Sequence, residues 1–138
     1  MPFIRPGTAS DLAEVAAIQA ASPEAAQWPL EDYLGFNFRV CVLENRVAGF
    51  AVSRITGPGE RELLTLAVAP EFRRRGVGAG LVRSFVTGKA VSVFLEVRES
   101  NRTARVFYKT LGFQEVGVRP QYYNSPPESA IVMKFHSC

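Results

Sequence analysis

The sequence is poor in the residues that most often carry metal or covalent chemistry. It has one histidine, His136, close to its end, which leaves any Ser-His or Cys-His mechanism a single candidate. Its two cysteines, Cys41 and Cys138, have no His or Cys partner at metal-ligand spacing, so no metal site is expected. Cys41 reads as a buried apolar thiol in a strand-like run and Cys138 as a frayed terminal one. Long apolar runs are also missing. The longest, 47–52 and 90–95, fall far short of the ~18 residues a membrane-spanning helix needs, so no membrane partner is expected. The opening Met-Pro-Phe-Ile-Arg-Pro-Gly lacks the basic region, apolar region and cleavage site of an export signal, and a cytoplasmic protein is expected. Lysine is scarce: thirteen of the sixteen cations are Arg, whose fork of fixed donors suits phosphate and carboxylate. The net charge of +3 is a modest excess.

What is present is a globular composition, 47% hydrophobic and 21% charged, which excludes disordered, collagen-like and coiled-coil classes. At 138 residues the chain reads as one domain, 1–138, able to bury roughly two thirds of its unfolded surface. A strand is predicted over 3–5, then a helix capped by Thr8 or Ser10 with Leu12, Val15, Ala16 and Ile18 at the helical period and Pro23 at its end. Trp28-Pro29-Leu30-Glu31-Asp32-Tyr33-Leu34 predicts a second short helix. Strands over 40–43 and 47–53 form a hairpin around Glu44-Asn45-Arg46, and Gly57-Pro58-Gly59 turns into a strand over 62–68. A helix over 78–86 and a strand over 91–97, apolar enough to be covered on both faces, complete a βαβ unit with parallel strands. A helix over 101–111 stops at Gly112, and strands over 113–118 and 130–135 close the chain. The order predicts an α/β (α+β) fold, a mixed twisted sheet of about seven strands flanked by about four helices.

The most informative stretch is Leu66-Ala67-Val68-Ala69-Pro70-Glu71-Phe72-Arg73-Arg74-Arg75-Gly76-Val77-Gly78-Ala79-Gly80, a strand leading through an Arg-Gly loop into a helix. Gly76 and Gly78 let backbone approach a ligand, and the free N–H groups of a helix start attract anions. A pyrophosphate would suit it, with Arg73, Arg74 and Arg75 adding charge. The phosphate loop G-x-x-x-x-G-K-[ST] is absent, and the glycines run G-x-G-x-G, not G-x-G-x-x-G. On the residues alone, the loop is either a phosphate cradle or a glycine-rich turn with solvated arginines. Glu96 alternates with apolar neighbours near a strand's C-terminal end, where open α/β sheets bind ligands. Partial burial would raise its pKa toward a useful range for a base. The other reading is a structural carboxylate paired with Arg98 or another Arg. Tyr108 shares a helix face with Ala104, Phe107 and Leu111 and, on its spacing alone, reads as a core aromatic with its hydroxyl at the rim.

The loop from Arg73 to Ala79 after Leu66-Ala67-Val68 resembles the acetyl-CoA pyrophosphate loop, [QR]-x-x-G-x-[GA], of the GCN5-related N-acetyltransferase superfamily. The predicted element order matches that fold from end to end. Leu95-Glu96-Val97-Arg98-Glu99-Ser100-Asn101, Ala104, Tyr108-Lys109-Thr110-Leu111-Gly112-Phe113, Arg119 and Tyr122-Tyr123 are similar to the bacterial ribosomal-protein-alanine N-acetyltransferases. The resemblance implies acetyl-CoA as acetyl donor, its pantetheine arm on the strand edge at Leu66, Ala67 and Val68. It implies a pyrophosphate on the backbone amides of Arg73, Arg74, Arg75, Gly76, Val77, Gly78 and Ala79, and a cofactor contact at Asn101. It implies Glu96 as the base that takes a proton from the amine and Tyr108 as the acid that protonates the leaving thiolate. Trp28, Tyr33, Arg119, Tyr122 and Tyr123 would flank a groove for a peptide or protein N-terminus, such as that of a ribosomal protein.

Chemistry adds that only a neutral amine can attack, that direct transfer in a ternary complex needs no acetyl-cysteine, and that the Val68 N–H would stabilise the oxyanion. The sequence departs from these relatives in having twelve residues between Gly78 and Val91, so that the helix there loses a turn, in Pro120 beside Arg119, and in Pro126-Pro127. Rival readings are an acetyltransferase for a small-molecule amine or lysine side chain, and a non-catalytic acetyl-CoA-binding module. A nucleic-acid partner is not expected, since the arginine cluster lies inside the loop and the net charge is small. The expected state is a monomer or weak homodimer.

Overall fold

The structure, a computed structural model, describes residues 2–86, 91–124 and 126–136. The expected terminal thiol at Cys138 lies outside them, as do residues 87–90 of the shortened stretch after Gly78. Strands β1 (Phe3–Pro6), β2 (Asn37–Leu43), β3 (Arg46–Gly57), β4 (Glu60–Val68), β5 (Ser92–Arg98), β6 (Gln114–Asn124) and β7 (Pro127–His136) alternate with helices α1 (Leu12–Ala20), α2 (Val77–Phe85) and α3 (Arg102–Thr110). The strands form one seven-stranded sheet in the order β1-β2-β3-β4-β5-β7-β6. β4 and β5 run parallel, whereas β1 with β2, β2 with β3, β5 with β7 and β6 with β7 run antiparallel, which is the mixed sheet expected. The fourth helical element, Leu30–Gly35, is a 3-10 turn rather than an α-helix, and Pro29 stands just ahead of it instead of in its first turn.

By internal contacts the chain divides into two compact units, Met1–Arg54 with Leu63–Thr87 and Ile55–Glu62 with Gly88–Cys138. In the first unit, α1 buries Val15 and Ile18, one helical turn apart. Ahead of it, the Asp11 carboxylate accepts the Thr8 N–H at 2.8 Å and both Arg5 Nη atoms at 2.8 and 2.9 Å, fastening β1 to the helix entry. Hydrogen bonding from Arg5 holds the Asp11 carboxyl below its ordinary value despite burial. The native charge is therefore worth stability above about pH 4, and that stability is lost as pH falls through the depressed value. Asp11→Ala, which strands Arg5 and the Thr8 N–H, is expected to cost about 2–3 kcal/mol in denaturant unfolding at pH 7 and much less near pH 2. Glu44 and Asn45, at φ 55° and 60°, form the two-residue turn between β2 and β3. Gly49 on β3 allows a close approach: a Cβ there would stand 2.8 Å from Val77 Cγ1 and 3.0 Å from the Ala67 carbonyl oxygen. Any larger residue would push the start of α2 off the sheet.

In the second unit, the start of β4 pairs with β5 through Glu60↔Ser92, Arg61↔Val93 and Glu62↔Phe94. Burial along β5 corrects the expectation of a strand covered on both faces. Val93 and Leu95 are buried, while Phe94, Glu96 and Arg98 on the opposite face are only half-buried. The covered face meets α3 through a chain of rings: Tyr108 to Phe113 at 5.4 Å and Phe113 to Phe135 at 5.6 Å, Phe135 being the register partner of Val93. Gly112, at φ 100°, ends α3 as expected. The larger correction concerns the stretch between the strands predicted over 113–118 and 130–135. Arg119, Tyr122 and Tyr123 belong to β6, paired with β7 up to Asn124↔Pro127. The register slips between Arg119 and Tyr123, where Gln121 takes φ 53°, so Pro120 needs no ladder bond.

Candidate active site

In the first unit, β4 leads into a 3-10 turn, Pro70–Phe72, whose Phe72 is buried and anchors the loop. Arg74 takes φ 64° and Gly76 φ 79°, so the chain reverses twice in the left-handed region before α2 begins at Val77. No side chain caps that helix, and its first backbone bond is Gly80 N–H to the Gly76 carbonyl at 3.0 Å. The amides of Val77, Gly78 and Ala79 thus have no acceptor among the described residues, the arrangement that attracts an anion. The three arginines do not act together. Arg73 bonds the Val68 carbonyl at 3.3 Å and Ser22 Oγ at 3.4 Å, and Arg75 pairs with Glu44 at 2.9 Å with its guanidinium over Phe72. Arg74 has no partner among the described residues, which makes it the one arginine of the three available to a ligand without breaking a bond. Leu66 and Val68 are half-buried and Ala67 is buried, so the end of β4 presents the first two on its less covered side.

Tyr33, expected to touch substrate, is instead a core residue of the same unit. It is fully buried between Phe38 and Phe50, with ring centroids at 5.9 and 5.7 Å, and its hydroxyl donates to Gln19 Oε1. Burial pushes that hydroxyl's pKa up. Tyr33 can hold the 28–35 segment but cannot reach a ligand. Trp28 is half-buried, edge-on to Phe36 at 6.3 Å, and its carbonyl accepts Gln19 Nε2 at 3.4 Å. Gln19 therefore ties both aromatics to α1, a role the sequence reading missed because a lone helical Gln carries no signal.

In the second unit, Glu96 lies on the less covered face of β5. Its side chain is 10% exposed, and Oε2 accepts Arg119 Nη1 at 2.8 Å. Oε1 has no hydrogen bond among the described residues. Of the two readings of Glu96, the ion pair is present, and its partner is Arg119 rather than Arg98. The Arg119 guanidinium lies over Tyr122 at 4.3 Å, Tyr122 meets Tyr123 edge-on at 5.1 Å, and Arg98 lies over Tyr123 at 4.3 Å. Arg98 also bonds Glu128 at 3.2 Å and the Pro126 carbonyl at 3.0 Å, while Glu128 accepts the Ser100 N–H at 2.5 Å. Burial, with Glu96 second, pushes the Tyr123 hydroxyl up to about 12. Glu128 and Arg98 fasten the hairpin tip to the end of β5, and neither was singled out for this from the sequence.

Tyr108 is 7% exposed on the inner face of α3, as its spacing predicted. Burial raises its hydroxyl's pKa, and that hydroxyl has no hydrogen-bond partner among the described residues. Among the described residues no buried side-chain oxygen or nitrogen is left unbonded. The ring chain to Phe135 sets Tyr108 on the Val93 face of the sheet, opposite the Glu96 face. A carboxylate and a protonated phenol thus stand apart, and neither neutralises the other. Asn101 caps α3, its Oδ1 accepting the Ala104 N–H at 3.1 Å. Only its amide nitrogen is left for another contact. Among the described residues no group of three or more His, Cys, Asp or Glu could hold a metal ion, and no helix is long and apolar enough to cross a membrane.

The first unit thus offers an uncapped helix start after an Arg-Gly loop, and the second a half-buried carboxylate and a buried phenol. Residues 10–113 match the model of the acetyltransferase (GNAT) family. The chain belongs to that family. It is 38% identical over 96 residues to the [ribosomal protein bS18]-alanine N-acetyltransferase of Salmonella typhimurium, covering 65% of this chain and 64% of that one. It is 37% identical over 92 residues to the N-alpha-acetyltransferase RimI of Mycobacterium tuberculosis, covering 64% and 58%. The chain thus spans somewhat less than two thirds of the length of these curated relatives. The crystal structure of the ribosomal-protein-S18-alanine N-acetyltransferase from Escherichia coli superposes with a TM-score of 0.82 at 27% identity, covering 100% of this chain and 96% of that one. The GNAT donor is acetyl-CoA, and the free amides of Val77, Gly78 and Ala79 fit its pyrophosphate.

Proposed function

We propose that this GNAT protein is a cytoplasmic acetyl-CoA-dependent N-acetyltransferase whose acceptor is the N-terminal α-amine of a protein, with alanine first, such as that of a ribosomal protein. The observation that carries the reading is the uncapped start of α2 behind left-handed Gly76, which offers three amides and Arg74 to the donor's pyrophosphate. Leu66, Ala67 and Val68 would carry the pantetheine arm, and the Asn101 amide nitrogen a further donor contact. The Val68 N–H would meet the developing oxyanion. Glu96 takes a proton from the acceptor ammonium, since only the neutral amine has a lone pair. The amine nitrogen bonds the acetyl carbon, the carbon–sulfur bond breaks, Tyr108 gives the departing thiolate a proton, and the second amine proton, lost as the amide forms, passes to solvent, which reprotonates Tyr108. Trp28 in the first unit, and Tyr122 and Tyr123 in the second, are the aromatic side chains assigned to the acceptor's peptide backbone.

The test is thiol release from acetyl-CoA, with peptides beginning with alanine set against the same peptides with a blocked N-terminus and free lysines. Release is expected only with the open terminus. Release with the blocked peptides moves the acceptor to lysine. Release with neither, while calorimetry still shows acetyl-CoA binding, leaves a small-molecule amine or a donor-sensing role.

A further inference from the structure

Arg119 was expected from resemblance to touch the acceptor, but its guanidinium is committed elsewhere. Across the second unit's strands, Glu96 is the register partner of Val132 and Val132 of Gly117; one pair along, Arg98 faces Ala130 and Ala130 faces Arg119. All these residues share the less covered face. Arg119 reaches Glu96 by crossing β7, where its own register partner is the small Ala130. The bulge at 120–122 brings Tyr122 under the guanidinium at 4.3 Å, so the fork is held from below as well as at its tip. Arg119 is 56% exposed at its side chain, whereas Glu96 is 10% exposed. No other described group bonds the Glu96 carboxylate, so Arg119 alone fixes which oxygen is free.

We infer that Arg119 is a positioning residue for Glu96: by holding Oε2 against Tyr122 it leaves Oε1 as the oxygen that takes the acceptor's proton. This rests on reading Glu96 as the base. In the step, the acceptor's N–H bond breaks and an Oε1–H bond forms, the electron pair stays on nitrogen, and Arg119 keeps its charge throughout. Lysine, a point charge without a planar fork, could hold Oε2 but could not stack on Tyr122.

The test is a double-mutant cycle on kcat with the alanine peptide and acetyl-CoA, using Arg119→Ala, Glu96→Gln and both together, with Arg119→Lys as the conservative variant. Arg119→Ala is expected to lower kcat about tenfold with both KM values within about twofold, and Lys to recover part of the loss. In the Glu96→Gln background, Arg119→Ala should change kcat by less than about twofold, because there is no base left to position. Equal losses in both backgrounds would overturn the inference. So would a raised acceptor KM at unchanged kcat, which makes Arg119 an acceptor contact, or a raised kcat, which makes it a counter-ion blocking the base. A fall in thermal midpoint that accounts for the loss would overturn it as well. If Glu96→Gln alone leaves kcat intact, the base assignment has failed, and the positioning role falls with it.

Discussion

Glu96→Gln is expected to lower kcat by about 10²- to 10³-fold while acetyl-CoA affinity and folding stay intact. Gln keeps the shape of the side chain and an oxygen to accept Arg119 Nη1, so the bond now at 2.8 Å survives. What it loses is the capacity to accept a proton. An N-terminal amine titrates near pH 8, so at pH 7 most acceptor is ammonium and every turnover needs a proton removed. The loss should therefore be greatest at pH 6.5–7.5 and shrink toward pH 9, where solvent supplies neutral amine. Rate measurements across that range with wild type and variant decide it. A constant ratio of the two rates across the range would mean that Glu96 orients the acceptor rather than deprotonating it, and an unchanged rate would remove it from the site.

The contrast between the two units explains how far the sequence was legible. The strand–loop–helix passage over Leu66–Gly80 could be read because backbone geometry there depends on residue type: Gly76 takes a conformation that favours glycine, and Pro70 opens the short turn. β6 was cut short for the opposite reason. Every residue from Gln114 to Tyr122 is exposed, so the edge strand has no alternation for a period-two reading to find, and Pro120 with Pro126-Pro127 argues for a loop. Pro127 instead opens β7, a place where the missing N–H costs nothing. Tyr33 and Tyr122 show the limit for single side chains. Both are tyrosines in segments flanked by proline, yet one is sealed between Phe38 and Phe50 while the other lies under Arg119, 43% exposed. Which partner an arginine takes is likewise a tertiary fact: Arg98 is two residues from Glu96 on the same strand face, but it turns to Glu128 and Tyr123, and Arg119 arrives from two strands away.

Tyr108→Phe is expected to lower kcat by about 10²-fold with no change in the calorimetric Kd for acetyl-CoA and no loss of stability. The structure makes this substitution unusually clean. The ring contacts, 5.0 Å to Phe107 and 5.4 Å to Phe113, belong to the ring and are kept. The hydroxyl bonds nothing among the described residues, so its removal orphans no polar group, the usual cost of deleting a buried hydroxyl. Burial also holds that hydroxyl's pKa above the ordinary tyrosine value near 10, so it carries its proton through the neutral and mildly alkaline range. A thiolate leaving group, basic near pH 8.5, then has a donor at every pH where the acceptor is reactive. Wild-type kcat should show no alkaline limb below about pH 10 that vanishes in the Phe variant. An alkaline limb near pH 8 that persists in the Phe variant would mean that the protonating group lies elsewhere, and a Phe variant of full activity would leave Tyr108 a ring in the core of the second unit.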